Sequence, residues 1–342
     1  MTARAFISGL SGLSLTAEER AFMAETQPWG FILFKRNVDT PAQVAALVKE
    51  LREVVERSNA PVLIDQEGGR VARLQPPHWP AYPRGAVFSA LYDIDRAKGL
   101  RAAKLSSRLI AADLTDLRID VDCLPLADVP VAGADAVIGD RAYGTEPGKV
   151  AAIARAVTEG LEDGGILPIL KHIPGHGRAT ADSHHKLPVV DSSEAELVKT
   201  DFAPFRALAD LPMAMTAHVV FSALDPLQPA TTSATIIRQV IRGSIGFQGL
   251  LMSDDVSMNA LQGTIADRTR ALLAAGCDMV LHCNGVLDEM QQVARETPVL
   301  AGEALKRADR AIASRKAPQP FDRETARAEL DELIGQTGTA IA

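Results

Sequence analysis

Histidines and charged side chains are concentrated in one short stretch, residues 170–188, which reads LKHIPGHGRATADSHHKLP. Glycine and proline interrupt this stretch repeatedly, so it is expected to be irregular rather than helical. Side chains of these types, so close together, could bind a metal, transfer protons or have only a structural role. Four of the chain's seven histidines fall there: His172, His176, His184 and His185.

A zinc site is one alternative, because short histidine-rich tracts often bind metals. Against it, Pro174, Gly175 and Gly177 interrupt any helix that would bring His172 and His176 onto one face. The stretch also contains a lysine, whose charged ammonium donates hydrogen bonds but cannot bind a metal. We therefore expect no metal and no other cofactor, with a metal-dependent hydrolase and purely structural histidines as the alternatives.

Proton transfer accounts for more of the same stretch. In an extended Asp182-Ser183-His184 segment, the first and third side chains lie on the same side. A carboxylate beside an imidazole raises its pKa and fixes its tautomer, which gives an acid and base near neutral pH. The neighbouring glycines would let the loop carry His184 towards a substrate and away from it, while His185 points to solvent. Asp182 and His184 are thus the candidate acid/base pair.

A second reactive side chain follows the apolar run in LLMSDDVSM. Asp254 comes directly after a buried strand, so its backbone is expected to be rigid, as a nucleophile requires. Asp255 is expected to face the other way and to have a structural role. Helix capping by Ser253 or one of the aspartates is the alternative for this short motif.

Eight short apolar runs would position these side chains, and each has the length of a strand buried on both faces. Helical patterns lie between them, such as 40–56, with Thr40 as N-cap and Pro41 at the first helical position. This alternation predicts a (β/α)₈ TIM barrel, an α/β fold, rather than an open doubly wound sheet. The predicted strands are 5–10, 30–34, 61–65, 119–125, 166–171, 213–219, 249–254 and 278–283.

No break in composition divides the 342 residues, which are 47% hydrophobic and can bury a large core. We predict a single barrel domain over 1–316, followed by a Pro-rich linker, a helix and a tail over 317–342, packed on the barrel or trailing from it. The cysteines show no C-x-x-C spacing, which argues against a disulfide framework. They are Cys123, Cys277 and Cys283.

The net charge of −7 and the lack of basic clusters argue against binding to nucleic acid or to a membrane surface. No apolar run reaches the roughly 18 residues of a membrane span, and the first residues lack the features of a signal peptide. We therefore expect a cytoplasmic protein, monomeric by default, whose partner is a small molecule.

Polar side chains follow five of the eight predicted strands. Reactive groups of a barrel gather at the carboxyl ends of its strands, so these side chains are expected to share one pocket. The alternative, that polarity simply resumes where strands end, explains less well a lysine and a histidine directly after an aliphatic run. The residues are Asp65, Lys171 with His172, His218, Asp254 with Asp255, and Asn284.

The motif KHIPGHGRATADSHHKLP resembles the K-H-F-P-G-H-G…D-S-H-x-x-x-P signature of family 3 glycoside hydrolases, in particular the bacterial β-N-acetylhexosaminidases of peptidoglycan recycling. Ile173 is the one departure, where phenylalanine is usual, and it changes packing rather than chemistry. The resemblance extends in order over about residues 5–315, through the further blocks GFILFKRN, DQEGGRVARL, VIGDRAYG and LLMSDDVSM.

The resemblance implies a retaining exo-β-N-acetylglucosaminidase acting on peptidoglycan-derived muropeptides of the GlcNAc-1,6-anhydroMurNAc type. It makes Asp254 the nucleophile that forms a covalent glycosyl-enzyme, and His184 the acid/base, paired with Asp182 in place of the usual second carboxylate. Arg73 and Arg141, at two of the implied sugar-binding positions, could instead orient carboxylates through ion pairs. Those positions are Asp65, Arg73, Arg141, Lys171 and His172.

Two other functions are compatible with the same residues. A β-N-acetylglucosaminide phosphorylase would use phosphate in place of water, and a histidine acid/base would not repel that anion as a carboxylate would. A non-catalytic sugar-binding sensor would bind N-acetylglucosamine without turnover, although the joint presence of Asp182, His184 and Asp254 argues against it.

Overall fold

A closed barrel of eight parallel strands forms the centre of the molecule, in a computed structural model that describes residues 3–183 and 186–335. Each strand pairs with its neighbours in the chain, and the last pairs with the first. The prediction of a (β/α)₈ barrel is confirmed. The strands are β1 (Arg4–Ser8), β2 (Pro28–Leu33), β3 (Val62–Ile64), β4 (Val121–Asp122), β5 (Leu167–Ile173), β6 (Met213–Thr216), β7 (Leu250–Asp255) and β8 (Met279–His282).

Helices cover the outside of the barrel and connect its strands. A π-helical segment, Ile236–Ser244, replaces an α-helix between β6 and β7. The α-helices are α1 (Ala17–Thr26), α2 (Pro41–Val54), α3 (Gly85–Ile94), α4 (Arg96–Asp116), α5 (Pro147–Asp163), α6 (Glu194–Lys199), α7 (Phe202–Ala207), α8 (Ile265–Ala275), α9 (Leu287–Glu296), α10 (Gly302–Ala313) and α11 (Arg323–Gly335).

Local signals set several helix ends as the sequence predicts. Helix α2 begins at Pro41, and Thr40 accepts a hydrogen bond from the backbone N–H of Gln43 at 3.3 Å. A further helical pattern in the sequence, SSEAELVKTDFAPFRALA at 192–209, predicts one helix but divides into α6 and α7. The physical reason is Pro204, which has no N–H and whose ring would clash with the carbonyl four residues earlier in a continuous helix.

Two layers of apolar side chains form the core. One fills the inside of the barrel, and the other lies between the barrel and the helices. Filling the interior makes the lower barrel a packed core and leaves only its upper rim open for a pocket. The interior layer includes Ile7, Ile32, Leu63, Val121, Ile169, Met213, Met252 and Leu281.

Strand pairing becomes irregular at two places on the upper rim. The register of β5 against β6 shifts between Leu170 and Ile173, and that of β7 against β8 shifts between Met252 and Asp255. Irregularities of this kind redirect side chains at the end of a strand. They coincide with the residues predicted to do the chemistry.

Beyond the barrel, α11 packs on α4 and α3. Arg101 pairs with Glu329 at 2.7 Å, and the guanidinium of Arg108 lies 4.0 Å from the ring centre of Phe321. These contacts hold the C-terminal helix against the barrel. Within the described part of the chain, every helix is too short or too polar to cross a bilayer.

Candidate active site

A cavity of about 470 Å³ opens at the carboxyl ends of the strands. This size is typical of small-molecule sites. Seven of the eight predicted site residues line it, which fits the prediction of a shared pocket. The eighth, His184, lies outside the described residues, as does His185. The seven are Asp65, Arg73, Arg141, Lys171, His172, Asp182 and Asp254.

Lys171 is the centre of a buried cluster of ion pairs on one wall of the cavity. Only 2% of Lys171 is exposed, and its ammonium lies 2.9 Å from Asp65 and 2.7 Å from Glu67. Arg73 pairs with the other oxygen of Asp65 at 2.9 Å, and Arg141 makes a two-bond contact with Glu67 at 2.8 and 2.9 Å. Three cations and two carboxylates thus alternate in the cluster, and all of them except Glu67 line the cavity.

The charges of this cluster stabilise one another. Burial alone would raise the pKa of Asp65 and Glu67, but the cations outweigh it. They lower the pKa of Asp65 well below its ordinary value and that of Glu67 to about 2. The carboxylates likewise outweigh burial and raise the pKa of Lys171. All of these groups are therefore charged at neutral pH, in a fixed arrangement.

Such an arrangement suits a ligand rich in hydroxyl groups. Each sugar hydroxyl both donates and accepts hydrogen bonds, and the wall offers donors and acceptors side by side. The ion pairs of Arg73 and Arg141 also bear on the open question of their role. Both arginines orient a carboxylate, and both line the cavity.

Asp128 is fully buried beneath the two histidines at the end of β5. Its carboxylate lies 2.7 Å from Nδ1 of His172 and accepts the backbone N–H of His176 at 2.6 Å. Burial would raise the pKa of Asp128, but the neighbouring His172 and the hydrogen bonds from His172 and the backbone of His176 lower it. Because a carboxylate accepts from Nδ1–H, the Nε2 atom of His172 is left for the ligand.

Asp254 lies at the end of β7, with 7% of the residue exposed, and its Oδ1 accepts the N–H of Asp255 at 2.8 Å. The side chain of Asp255 accepts from the backbone N–H groups of Ser257 and Cys283, at 3.0 and 3.1 Å. These contacts tie the β7 end to the β8 end. Asp255 also lines the cavity, next to Asp254.

The helix-capping alternative for this motif is wrong in the structure. Residues 256–262 form turns, and Thr264 caps the next helix by accepting from the N–H of Asp267. Ser253 instead accepts the N–H of Leu281 on the neighbouring strand. The motif therefore connects strands rather than starting a helix.

Of the two other strand-end residues, Asn284 lines the cavity, whereas His218, which was expected to share it, is not among its lining residues. Nε2 of His218 donates to the backbone oxygen of Asp255 at 3.0 Å, and burial lowers the pKa of His218. Asn284 lines the cavity, donates to Glu289 at 2.6 Å and accepts the N–H of Val286. His218 is therefore a buried support for the end of β7.

Glu67 and Asp128 are site residues that sequence reasoning missed. Glu67 lies two positions after Asp65, so in an extended chain the two carboxylates share a side, and this signal could have found it. Asp128 has no comparable signal, because its contact with His172 joins residues 44 positions apart. Within the described residues, no group of three or more histidine, cysteine or acidic side chains is arranged to hold a metal ion.

Comparison with known proteins agrees with this geometry. A model of the glycosyl hydrolase family 3 N terminal domain matches residues 7–313. The chain belongs to glycosyl hydrolase family 3. A β-hexosaminidase of the family from Alkalilimnicola ehrlichii is 39% identical over 280 residues, covering 81% of this chain and 79% of that protein. Another from Aromatoleum aromaticum is 35% identical over 318 residues, covering 91% and 88%.

Solved structures lead to the same conclusion. NagZ from Neisseria gonorrhoeae, in complex with N-trifluoroacetyl-D-glucosamine, superposes with a TM-score of 0.86 at 29% identity, covering 98% of this chain and 99% of that one. The same protein is also known in complex with zinc ion, at 30% identity. The prediction of a family 3 glycoside hydrolase of the bacterial β-N-acetylhexosaminidase type is confirmed.

The depressed pKa of Glu67 generates a prediction about acid stability. Because this pKa falls from 4.5 to about 2 on folding, its stabilisation is complete above pH 4.5 and is lost as pH falls towards 2. Glu67→Gln should lower the free energy of unfolding by about 3–5 kcal/mol at pH 7, since it leaves buried cations without a partner.

The difference from the wild type should narrow between pH 4.5 and 2, as measured by urea denaturation across that range. Glu159→Gln is the matched control, because exposed Glu159 pairs with Lys104 on the surface. It should change stability by less than about 1 kcal/mol. A constant difference for Glu67→Gln at every pH would contradict the assignment of the lowered pKa.

Proposed function

We propose that this family 3 enzyme is a retaining exo-β-N-acetylglucosaminidase that releases N-acetylglucosamine from muropeptide fragments of the GlcNAc-1,6-anhydroMurNAc type, in the cytoplasm. The observation that carries the proposal is the single cavity in which Asp254 and Asp182 meet the charged wall around Lys171. A nucleophile, part of an acid/base pair and a polyol-binding surface then share one pocket. Three free, buried cysteines suit a reducing compartment.

In the proposed mechanism, the carboxylate of Asp254 attacks the anomeric carbon of the terminal sugar. The glycosidic bond breaks as His184 gives its proton to the departing oxygen, and a covalent glycosyl-enzyme forms. His184 then removes a proton from water, which attacks the same carbon and releases Asp254. Two inversions at the anomeric carbon leave the product with the configuration of the substrate. Asp182 would stabilise the protonated imidazole.

Another part of the cavity lining, around Arg36, indicates which leaving group the enzyme accepts. Arg36 is exposed, lines the cavity, and donates to the backbone oxygens of Leu10, at 2.7 Å, and Cys283. Its guanidinium lies 5.1 Å from the ring centre of Phe34, with Arg73 at 4.8 Å from the same ring. Among the described residues, no carboxylate forms an ion pair with Arg36. A fixed arginine without an anionic partner favours an anionic leaving group.

This observation favours muropeptides over chitin fragments as the substrate. The muramic acid side of a peptidoglycan fragment carries carboxylates, on its lactyl group or on an attached peptide. A chitin-derived sugar is neutral. The positive charge of Arg36 would therefore favour binding of a muropeptide over binding of a chitin fragment.

The first prediction concerns Asp254. Asp254→Asn keeps an oxygen to accept the N–H of Asp255, so the fold should persist, but an amide is a poor nucleophile. Turnover of 4-nitrophenyl N-acetyl-β-D-glucosaminide should fall at least about a thousandfold, at unchanged thermal stability. Asp255→Asn, the matched control at the next position, should lose far less.

The same assay separates the alternatives when it is run with and without phosphate. Release of sugar that requires phosphate and yields sugar 1-phosphate would assign a phosphorylase. Binding of N-acetylglucosamine with no release by the wild type would assign a sensor. Substantial activity in folded Asp254→Asn would remove Asp254 as the nucleophile.

The second prediction concerns His184. His184→Ala should reduce kcat/KM strongly for a disaccharide, whose leaving group must be protonated, and much less for a 2,4-dinitrophenyl glycoside, which needs no acid. Steady-state kinetics with a series of leaving groups measures this. Equal losses on every substrate would show that His184 is not the acid.

The third prediction concerns Arg36. Arg36→Gln should lower kcat/KM about 10- to 100-fold for GlcNAc-1,6-anhydroMurNAc, because a charge-assisted hydrogen bond contributes about 1.5–3 kcal/mol. Diacetylchitobiose, which is neutral, should be affected less than twofold. Lys35→Gln is the control, since Lys35 is the adjacent exposed cation and does not line the cavity. Equal effects on both substrates would argue against an anionic leaving group.

A further inference from the structure

Ser183 lies between the two members of the proposed acid/base pair in the sequence, and it is almost fully buried, with 3% exposed. Its surroundings come from two different loops. Nε2 of His176, on the loop after β5, lies 3.2 Å from its hydroxyl oxygen. Its backbone oxygen accepts the N–H of Ala260 at 3.2 Å, and the sulfur of Met258 lies 3.9 Å from its hydroxyl. Both of these residues follow β7.

The loop after β5 is also fixed near its beginning, to the loop after β4 and to the segment that follows it. The backbone N–H of Asp135 donates to the oxygen of Ala179 at 2.8 Å. Arg178 pairs with Asp201 at 2.6 Å and with Glu196 at 2.9 Å, both in the chain that follows this loop. Ser183 is different, because it joins this loop to the one that continues from Asp254. The proposed acid/base and the proposed nucleophile are thus connected through one serine.

The hydrogen bond between His176 and Ser183 has a defined direction. Nδ1 of His176 is buried and has no hydrogen-bond partner among the described residues. A buried N–H without a partner is rarer than a bare acceptor, so the proton belongs on Nε2. Burial and the neighbouring His172 lower the pKa of His176 to about 4, which keeps the ring neutral. His176 therefore donates to the oxygen of Ser183.

His176 is itself held rigidly. Its backbone N–H donates to Asp128, the same buried carboxylate that contacts Nδ1 of His172. A displacement of His176 would therefore disturb the residue predicted to bind the sugar. The contact with Ser183 extends this rigid unit to the segment that carries Asp182.

We infer that Ser183 is a positioning residue, which holds the proposed acid/base segment against the β7 loop through its hydrogen bond with His176. The inference rests on the proposed function and deepens it. Ser183 does not touch the reacting atoms in this account. Its effect on the rate comes from fixing the backbone next to Asp182, because an error of about 1 Å in the segment that carries the proposed acid/base is costly.

The test is Ser183→Ala, which removes the hydroxyl and keeps the backbone contact with Ala260. Loss of one hydrogen bond should reduce kcat/KM for the disaccharide about five- to tenfold. For the 2,4-dinitrophenyl glycoside the change should be less than twofold, because that bond breaks without an acid. A purely structural role would not produce this difference between leaving groups.

Two further variants sharpen the experiment. Ser107→Ala is the matched control, because Ser107 is also buried, with 2% exposed. Its hydroxyl donates to the backbone oxygen of Ala103 in α4, and it does not line the cavity. This variant should leave kcat/KM unchanged for both the disaccharide and the 2,4-dinitrophenyl glycoside. His176→Ala combined with Ser183→Ala should cost no more than the worse single variant, because both remove the same bond.

Equal losses on both substrates, or no loss on either, would overturn the inference for Ser183. Fully additive losses of kcat/KM in the variant that combines His176→Ala with Ser183→Ala would also overturn the inference. If the wild type is active and His184→Ala shows the leaving-group effect, such a result leaves the proposed function intact. A wild type that turns over none of these substrates would overturn the proposed function and this inference together.

Discussion

A buried ammonium is stable only where carboxylates compensate for its lost hydration, and Lys171 meets this condition through Asp65 and Glu67. Asp65 directly follows β3, Glu67 lies two residues further on, and Lys171 is on β5, so the contact joins strand ends that are far apart in the sequence. Arg73 and Arg141 complete the cluster from the following loops. The charged wall of the pocket and the packing of the upper barrel therefore depend on the same ion pairs.

Another buried carboxylate, Asp128, organises the part of the pocket next to this cluster. It aligns His172 towards the cavity and fixes the backbone of His176, whose ring reaches Ser183. The charged wall, the proposed acid/base segment and the β7 loop then form one connected set of contacts. The retaining mechanism proposed above places its two reactive groups on opposite sides of one sugar ring, and these contacts connect the segments that carry them.

The sequence predicted the barrel well because strands that are buried on both faces consist of short apolar runs, and these runs lie between helical patterns. Each of the eight predicted runs overlaps a barrel strand, with ends that differ by up to three residues. Polar residues that directly follow such a run, such as Asp65, Lys171 and Asp254, must lie on the rim, so their presence in one cavity was predictable. The break between α6 and α7 was harder to predict, because the apolar spacing continues through Thr200. Pro204, four residues later, is what prevents one continuous helix.

The amino-acid sequence by itself thus determined the strands, the order of the helices and which side chains reach the rim, because these follow from local periodicity. Only the tertiary structure decided the partners: Glu67 for Arg141, Asp128 for His172, and Ser183 for His176. The first two pairs lie 74 and 44 positions apart, and the third depends on a loop that no periodic pattern describes. The packing of neighbouring loops above the strands and the register shifts next to Lys171 and Asp254 accompany these contacts, and periodicity contains no information about either.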